Sequence, residues 1–337
     1  MKELYVADLA KFENQPVVSF FAVANKQLRS RKDGGQYLAL TLCDRTGSIE
    51  CRMWDNLDGC EEFERGDVVK VRGEVSRYNG NFQLTLSRLR RAAPEETDPA
   101  DYVPRTRCDI DELWRELNRY VDSFSNPHLK TLLRAFLDDP AIAKALREAP
   151  AAKSLHHAWM GGLLEHIVSL LGICDLAASH YREINRDLLL SGAVLHDIGK
   201  IEELSWGTSF DYTMRGQLLG HISLGFAMIE AKLTAIPGFP PELRLLVEHA
   251  VLSHHGKLEF GSPKLPMIPE AVLLHYLDDL DAKMQTMRSE LERHAAQGRP
   301  AGEMTDWVRA MERPLLDTES FLSAKPQPPS PPDSQED

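Results

Sequence analysis

Ten of the twelve histidines of this chain lie between His156 and His275, and none occurs among the first 127 residues. They stand in the segments GLLEHI, VLHDIGK, GHISLG and LSHHG, followed by HYLDDLDAK. The adjacent His196 and Asp197 are the centre of this set. A neutral imidazole beside a carboxylate suits a borderline divalent cation. A carboxylate that follows SGAVL is costly to bury unless a positive charge compensates it, and a metal ion provides one. His166 falls in the middle of an apolar helical pattern, where a core histidine with one satisfied hydrogen bond is the ordinary reading. Asp278 and Asp281, three residues apart, share one face of a helical segment, while Asp279 points away from it. His221 and the His254 and His255 pair lie between the His-Asp pair and Asp278. Spacing leaves open whether His254 or His255 would act as a ligand. His249 and His275 read as supporting or core residues, and His156, His157 and His180 as structural.

Helices must position these residues. From Ile110 onward the apolar residues recur with helical period, and segments begin at cap candidates such as Asp109 and the Asn126-Pro127 step. The segments that follow are MGGLLEHIVSLLGICDLAASHY, RDLLLSGAVLHDIGK, HISLGFAMIEAKLTA, PPELRLLVEHAVLSHH and PEAVLLHYLDDLDAKMQTMRSELERHAA. The expectation is an all-α domain over 110–322, with a core at about 150–290. Residues 110–160 are apolar enough to pack on that core or on a second subunit, which leaves a homo-oligomer open.

The part before it has a different period. Between Pro16 and Ala92 the pattern alternates, reads as five strands, and carries turn signals at DRTG and YNGN. A strand, a hairpin, a loop of about twelve residues and a second hairpin fit a small Greek-key barrel of OB type. Aromatic and basic residues interleave along it: Phe21, Arg29, Arg31, Tyr37, Arg52, Trp54, Tyr78 and Phe82. Barrels that hold single-stranded nucleic acid use aromatic faces for bases and cations for phosphates. A barrel also needs aromatics in its core. The expected organisation is therefore a β-barrel over 1–93, a Pro- and acid-rich linker over 94–109, the helical domain, and a disordered tail over 323–337.

Composition sets outer limits. The net charge is -12, but residues 1–92 hold 15 Lys and Arg against 13 Asp and Glu, so the acidity belongs to the remainder. Carboxylates gathered to hold cations would produce that excess. Five cysteines without a CxxC pair give neither a zinc knuckle nor a disulfide framework. No run of uncharged apolar residues approaches a membrane span, and the start has no signal-peptide run, so a cytoplasmic protein without membrane attachment is expected.

The order His166, His196-Asp197, Asp278 on helical segments resembles the HD superfamily of metal-dependent phosphohydrolases, over about residues 150–290. The resemblance implies that these four residues ligate one divalent cation. It extends to Lys200 in HDIGK, a point charge able to meet a phosphate oxygen. His221 and His254 match those members that hold a second ion, with Asp197 bridging both, and His255 and Asp281 are further candidates for metal or substrate. Two cations about 3.5 to 4 Å apart hold a phosphodiester and activate water.

Taken with the barrel, GGLLEHI, HDIGK, SHHG, GSP and LDAKM resemble the YhaM-type 3′-5′ exoribonuclease family over about residues 1–315. That resemblance implies metal-dependent removal of nucleotides from the 3′ end of single-stranded RNA, with single-stranded DNA as a further candidate. It also implies a preference for Mn²⁺; histidine and carboxylate ligation equally admits Co²⁺, Fe²⁺, Ni²⁺, Zn²⁺ or Mg²⁺. Two other classes compete: a small-nucleotide phosphohydrolase with a regulatory barrel, and a non-catalytic RNA-binding protein.

Overall fold

The computed structural model describes residues 2–31, 34–57, 60–78, 81–153, 159–207, 210–296 and 300–324. The chain divides into two compact units, Met1–Leu277 and Asp278–Asp337. The tail expected over 323–337 lies, from residue 325, outside the described residues.

The period-two segments form the expected barrel. Strands β1 (Pro16–Ser30), β2 (Gln36–Asp44), β3 (Gly47–Met53), β4 (Val68–Tyr78) and β5 (Asn81–Arg91) close in the order β1-β2-β3-β5-β4. All pairs are antiparallel except β3 with β5. Alternation sends Leu38, Leu40 and Leu42 of β2, Ile49, Cys51 and Met53 of β3, and Val69, Val71 and Val75 of β4 into one apolar interior. The first half of β1 pairs with β4 and its second half with β2, with an irregularity between Val23 and Asn25. The DRTG turn joins β2 to β3, where Asp44 pairs with Gly47. Asn79 and Gly80 of the second turn lie outside the described residues.

A buried ion pair secures the segment before the barrel. Lys2 Nζ lies 2.9 Å from Asp44 Oδ2, with both side chains almost wholly buried. Burial pulls the Lys2 ammonium below its ordinary pKa, and the Asp44 carboxylate opposes that shift. Asp44 also accepts from Val6 N at 2.8 Å and from Thr46 N and Oγ1 at 2.9 and 2.6 Å, so its oxygens are satisfied. The 94–109 segment is structured, with two short 3-10 turns and with Tyr102 and Val103 buried.

The helical region begins with α1 (Ile110–Asp122), α2 (Pro127–Leu137) and α3 (Pro140–Glu148). Asp109, Asn126 and Asp139 cap them, each side chain accepting from two backbone amides in the first turn. Their apolar faces pack on α4 (Gly162–His180) and α5 (Arg186–Leu195) in one core. α4 has the length and hydropathy of a membrane-crossing helix. It is instead the central core helix, with Leu163, Leu164, Ile167, Leu170 and Leu171 fully buried. α5 is buried from Asp187 to Leu195.

A short helix α6 (Lys200–Glu203) follows, then a hairpin of β6 (Leu204–Trp206) and β7 (Phe210–Tyr212), the one β element among the described residues of an otherwise helical region. Arg65, on the loop before β4, reaches Asp211 of this hairpin at 3.0 Å. Helices α7 (Met214–Ala235) and α8 (Pro241–Ser253) complete the core, and α9 (Pro269–Ala296) leads out of the first unit. In the second unit, bridges Met304 to Leu316 and Val308 to Arg313 precede α10 (Thr318–Ser323), which Asp317 caps.

Asp44→Ala leaves the Lys2 ammonium buried over the Phe21 ring without its counter-charge. It is expected to destabilise the barrel by about 3 kcal/mol or more, and a Lys2→Met and Asp44→Leu pair by much less. Urea unfolding of the three proteins, followed by tryptophan fluorescence, measures the difference.

Candidate functional site

His166, His196, Asp197, His221, His254 and His255 come together although 89 positions separate the first from the last. α4 supplies His166, and the C-terminus of α5 supplies His196 and Asp197. His221 comes from α7, and His254 and His255 from the end of α8. Within each of two groups, His166 with His196 and Asp197, and His221 with His254 and His255, one donor atom per residue lies within 4.8 Å of the others. Both histidines of the SHHG pair therefore join the cluster.

The Asp197 carboxylate stands between the groups. Its Oδ2 is 3.3 Å from His196 Nε2 and 4.0 Å from His166 Nε2. Its Oδ1 is 3.3 Å from His221 Nε2 and 3.8 Å from His254 Nε2. One oxygen thus faces each group. The carboxylate is almost fully buried, with Lys200 Nζ 2.5 Å from Oδ2. Burial would raise its pKa, but Lys200, His196 and His221 outweigh burial and hold it well below the usual carboxylate range. Lys200, expected to reach a phosphate oxygen, is here the cation that neutralises Asp197.

Backbone carbonyls orient the rings. His196 Nδ1 donates to Ala193 O at 3.0 Å, His254 Nδ1 to Val251 O at 2.7 Å and His255 Nδ1 to Phe260 O at 2.8 Å. In a neutral imidazole this leaves a lone pair on Nε2, the atom turned toward Asp197 in His196 and His254. Burial, with His196 beside it, pushes His254 well below its ordinary pKa, so it is neutral. His221 Nε2 and His254 Nε2 are both buried without a hydrogen-bond partner. Buried polar atoms are rarely left so, and two orphaned lone pairs facing a carboxylate are the donor set of a cation. The residues present fit a divalent metal.

Two glycines and one carboxylate make this approach possible. A Cβ on Gly199 would lie 2.0 Å from His221 O, so only glycine lets α7 come this close to α6. Gly220 interrupts α7 with φ 71° and ψ 158°, which exposes the amide of His221. Glu203 takes that amide, His221 N donating to Oε1 at 2.9 Å, and the same oxygen lies 3.3 Å from His221 Nδ1. The sequence pattern did not single out Glu203. Its only signal is its place six residues after Asp197, at the end of the short helix that HDIGK opens.

Two of the expected residues belong to the second unit. Asp278 and Asp281 are half-buried on α9 in the second unit, where Asp279 instead pairs with Lys283 at 2.5 Å. His275 Nδ1 donates to His254 O at 3.0 Å, a supporting role, and His249 Nε2 accepts from Met267 N at 2.9 Å. His180 is exposed at the end of α4, and His156 and His157 lie outside the described residues.

On the barrel, Tyr37 and Trp54 stack with ring centroids 4.6 Å apart, and Trp54 is 42% exposed. The Arg31 guanidinium lies 5.4 Å from the Trp54 ring, Arg29 is opposite Tyr37 across β1 and β2, and Arg52 lies outward on β3. Tyr78 is exposed at the β4–β5 end, where Phe82 rests partly on the core under Arg77. Phe21 is a correction. It shares the inward parity of β1 with Val17 and Ser19 and is fully buried, so it cannot meet a strand of nucleic acid.

A family model described as an OB-fold nucleic acid binding domain matches residues 23–92, and the HD domain model matches residues 163–283. The 3′-5′ exoribonuclease YhaM of Bacillus velezensis is 36% identical over 300 residues, covering 88% of this chain and 93% of that protein. The chain belongs to the YhaM 3′-5′ exoribonuclease family. The Bacillus subtilis member is 38% identical over 282 residues, covering 83% of this chain and 87% of its own. The second OB-fold domain of replication protein A from Methanococcus maripaludis aligns at 26% identity with 28% of this chain and 97% of its own, at a TM-score of 0.22. Membership in the YhaM family makes the protein a hydrolase, and its HD domain makes it a divalent-metal-dependent one.

Glu203→Ala removes the acceptor that fixes His221 and is expected to weaken divalent-metal binding about 10- to 100-fold. Calorimetric titration of metal into the apoprotein, with circular dichroism to check the fold, measures it.

Proposed function

We propose that this chain removes nucleotides one at a time from the 3′ end of single-stranded RNA, using Mn²⁺ held by His166, His196, Asp197, His221, His254 and His255. The single observation that carries the reading is the Asp197 carboxylate, buried and split between two histidine groups. Bound there, a pair of divalent cations supplies Lewis acidity to a phosphodiester and lowers the pKa of a water molecule.

The residues of this chain do the rest. His196 and His254 are held by carbonyls with Nε2 turned inward, so no reorganisation is needed at the moment of binding. Lys200, the charge now on Asp197, is free to shift toward a phosphate oxygen once other cations neutralise the carboxylate. Apolar walls from α4 and α5 exclude water and strengthen each of these interactions.

A polymeric substrate is supported by the barrel, where Tyr37, Trp54, Arg29, Arg31 and Arg52 offer stacking surface and positive charge on one side. Strand-binding OB barrels use the β2–β3 face and the loops after β1 and β4 in this way. Holding the strand there raises its concentration at the hydrolytic site. All five cysteines are free thiols, in keeping with a reducing, cytoplasmic setting.

With Mn²⁺ and a 5′-labelled single-stranded RNA of about 30 nucleotides, a length typical of two or more OB site sizes, the product ladder is expected to shorten from the 3′ end and to vanish with a 3′ block or EDTA. Intact RNA beside rapid turnover of a nucleoside triphosphate would overturn the reading. Asp197→Asn is expected to abolish hydrolysis while retaining strand binding. A Tyr37→Ala and Trp54→Ala protein should lose about 10-fold or more in affinity for the long strand, yet cleave a dinucleotide at the normal rate; equal losses on both would show that this face does not hold substrate.

A further inference from the structure

The side of the barrel turned away from Tyr37 and Trp54 carries a second array of charge. Register places Lys70 opposite Arg90 and Arg72 opposite Arg88 across β4 and β5. Phe20 lies opposite Lys70, and Val18 opposite Arg72, on the first half of β1. Like charges directly opposite each other on a sheet destabilise it, and here two such pairs stand side by side. Only part of this is offset within the chain. Arg90 pairs with Glu96 at 2.6 Å, and that bond, helped by the Ala93 amide, draws the Glu96 carboxyl down to about 2. Lys70 lies 4.8 Å from the Phe20 ring centroid. Arg72 and Arg88 are exposed and, among the described residues, in no ion pair.

The same residues line a concavity of about 320 Å³ formed by Val18, Lys70, Arg72, Arg88, Leu89 and Arg90. Adjoining hollows of about 490 and 410 Å³ continue it along β1 and β4, sharing Val18 and Lys70 on one side and Arg72 on the other. No exposed aromatic ring stands among these lining residues; Phe20 is half-buried. The central concavity holds four cations and no carboxylate, while Glu3 and Glu74 line the hollows beside it, so the centre of the face is made to meet negative charge rather than bases.

We propose that this β1–β4–β5 face is a second nucleic-acid contact, binding the phosphodiester backbone of the RNA upstream of the part stacked on Tyr37 and Trp54, without regard to base. The proposal rests on the exonuclease reading. Charge complementarity selects the occupant, since a chain of net charge -12 concentrates unpaired arginines here and a polyphosphate backbone is what such arginines hold best. β1 supplies the path, because its first half borders this face and its second half, at Arg29, borders the aromatic one.

The test is binding of 5′-fluorescein oligouridylates of about 30 and about 6 nucleotides, lengths above and within one OB site size. Their 3′ ends are blocked against cleavage, and metal-loaded full-length protein is read by anisotropy across a salt series. In the Arg72→Gln and Arg88→Gln double variant, affinity for the long strand should fall on the order of 10-fold and its logarithmic salt slope by about 1.4, the share of two phosphates on a single strand. The short strand should bind as before, and the melting temperature should rise rather than fall, because a like-charge pair is gone. Unchanged long-strand binding overturns the proposal, as does an altered oligomeric state by sedimentation with RNA affinity intact, which would assign the face to a protein partner. A wild-type protein that binds neither strand refutes the exonuclease reading itself; binding of both with no effect of the double variant refutes only the second contact.

Discussion

One buried carboxylate sets the terms for the helical domain. Asp197 is 4% exposed at the end of a helix whose last turn, Gly192 to Leu195, is apolar and buried. Leaving a lone carboxylate there would cost several kcal/mol (about 3 to 5 for an uncompensated buried charge). The cluster around it answers that cost. Lys200 comes from the next turn, and the imidazoles arrive from α4, α7 and α8. Each arrival imposes its own demand: α4 must be apolar over the broad face that meets the core, and the residue before α6, Gly199, must be glycine where His221 O passes. The packing of four helices and the geometry of the donors are one problem with one solution.

Much of this was legible because the determinants are periodic or chemically rare. α4 and α5 read as helices from their apolar runs, and a His-Asp pair at the end of such a run points to a cation whatever else surrounds it. The barrel read from alternation alone, since period two leaves few other folds for five short strands. The misses share a cause. Whether Phe21 faces in or out depends on parity counted from neighbours that are themselves aromatic and apolar, Phe20 and Val18, so composition gives no guide. That His254 and His255 both join the cluster depends on where α8 stops, and helix ends are set by caps that local sequence marks weakly here. Strands of three residues, as in β6 and β7, are too short to carry a period. Glu203 acts through a backbone amide that Gly220 exposes 17 residues later, a link that no local pattern encodes.

The barrel illustrates sorting of charge rather than accumulation. Its near-neutral sum hides an aromatic and cationic side, an opposite side with facing arginines and lysine, and carboxylates used up in pairs such as Lys2 with Asp44 and Arg91 with Asp67. Net charge governs approach from a distance, whereas local arrays govern what is held on contact. An acidic protein can in this way handle a polyanion.

The break at Gly220 divides α7 into two helical stretches whose turns do not share a phase. Ordinarily a residue gained or lost within a helix rotates everything beyond it by 100°. Here the helix phase is reset at Gly220, so the bearing of the His221 ring is set by the stretch that follows and by Glu203. The stretch before Gly220 exposes Met214, Leu218 and Leu219, so its outer face is free to change in character, while Gly216, seated against the Glu203 carbonyl, holds its length.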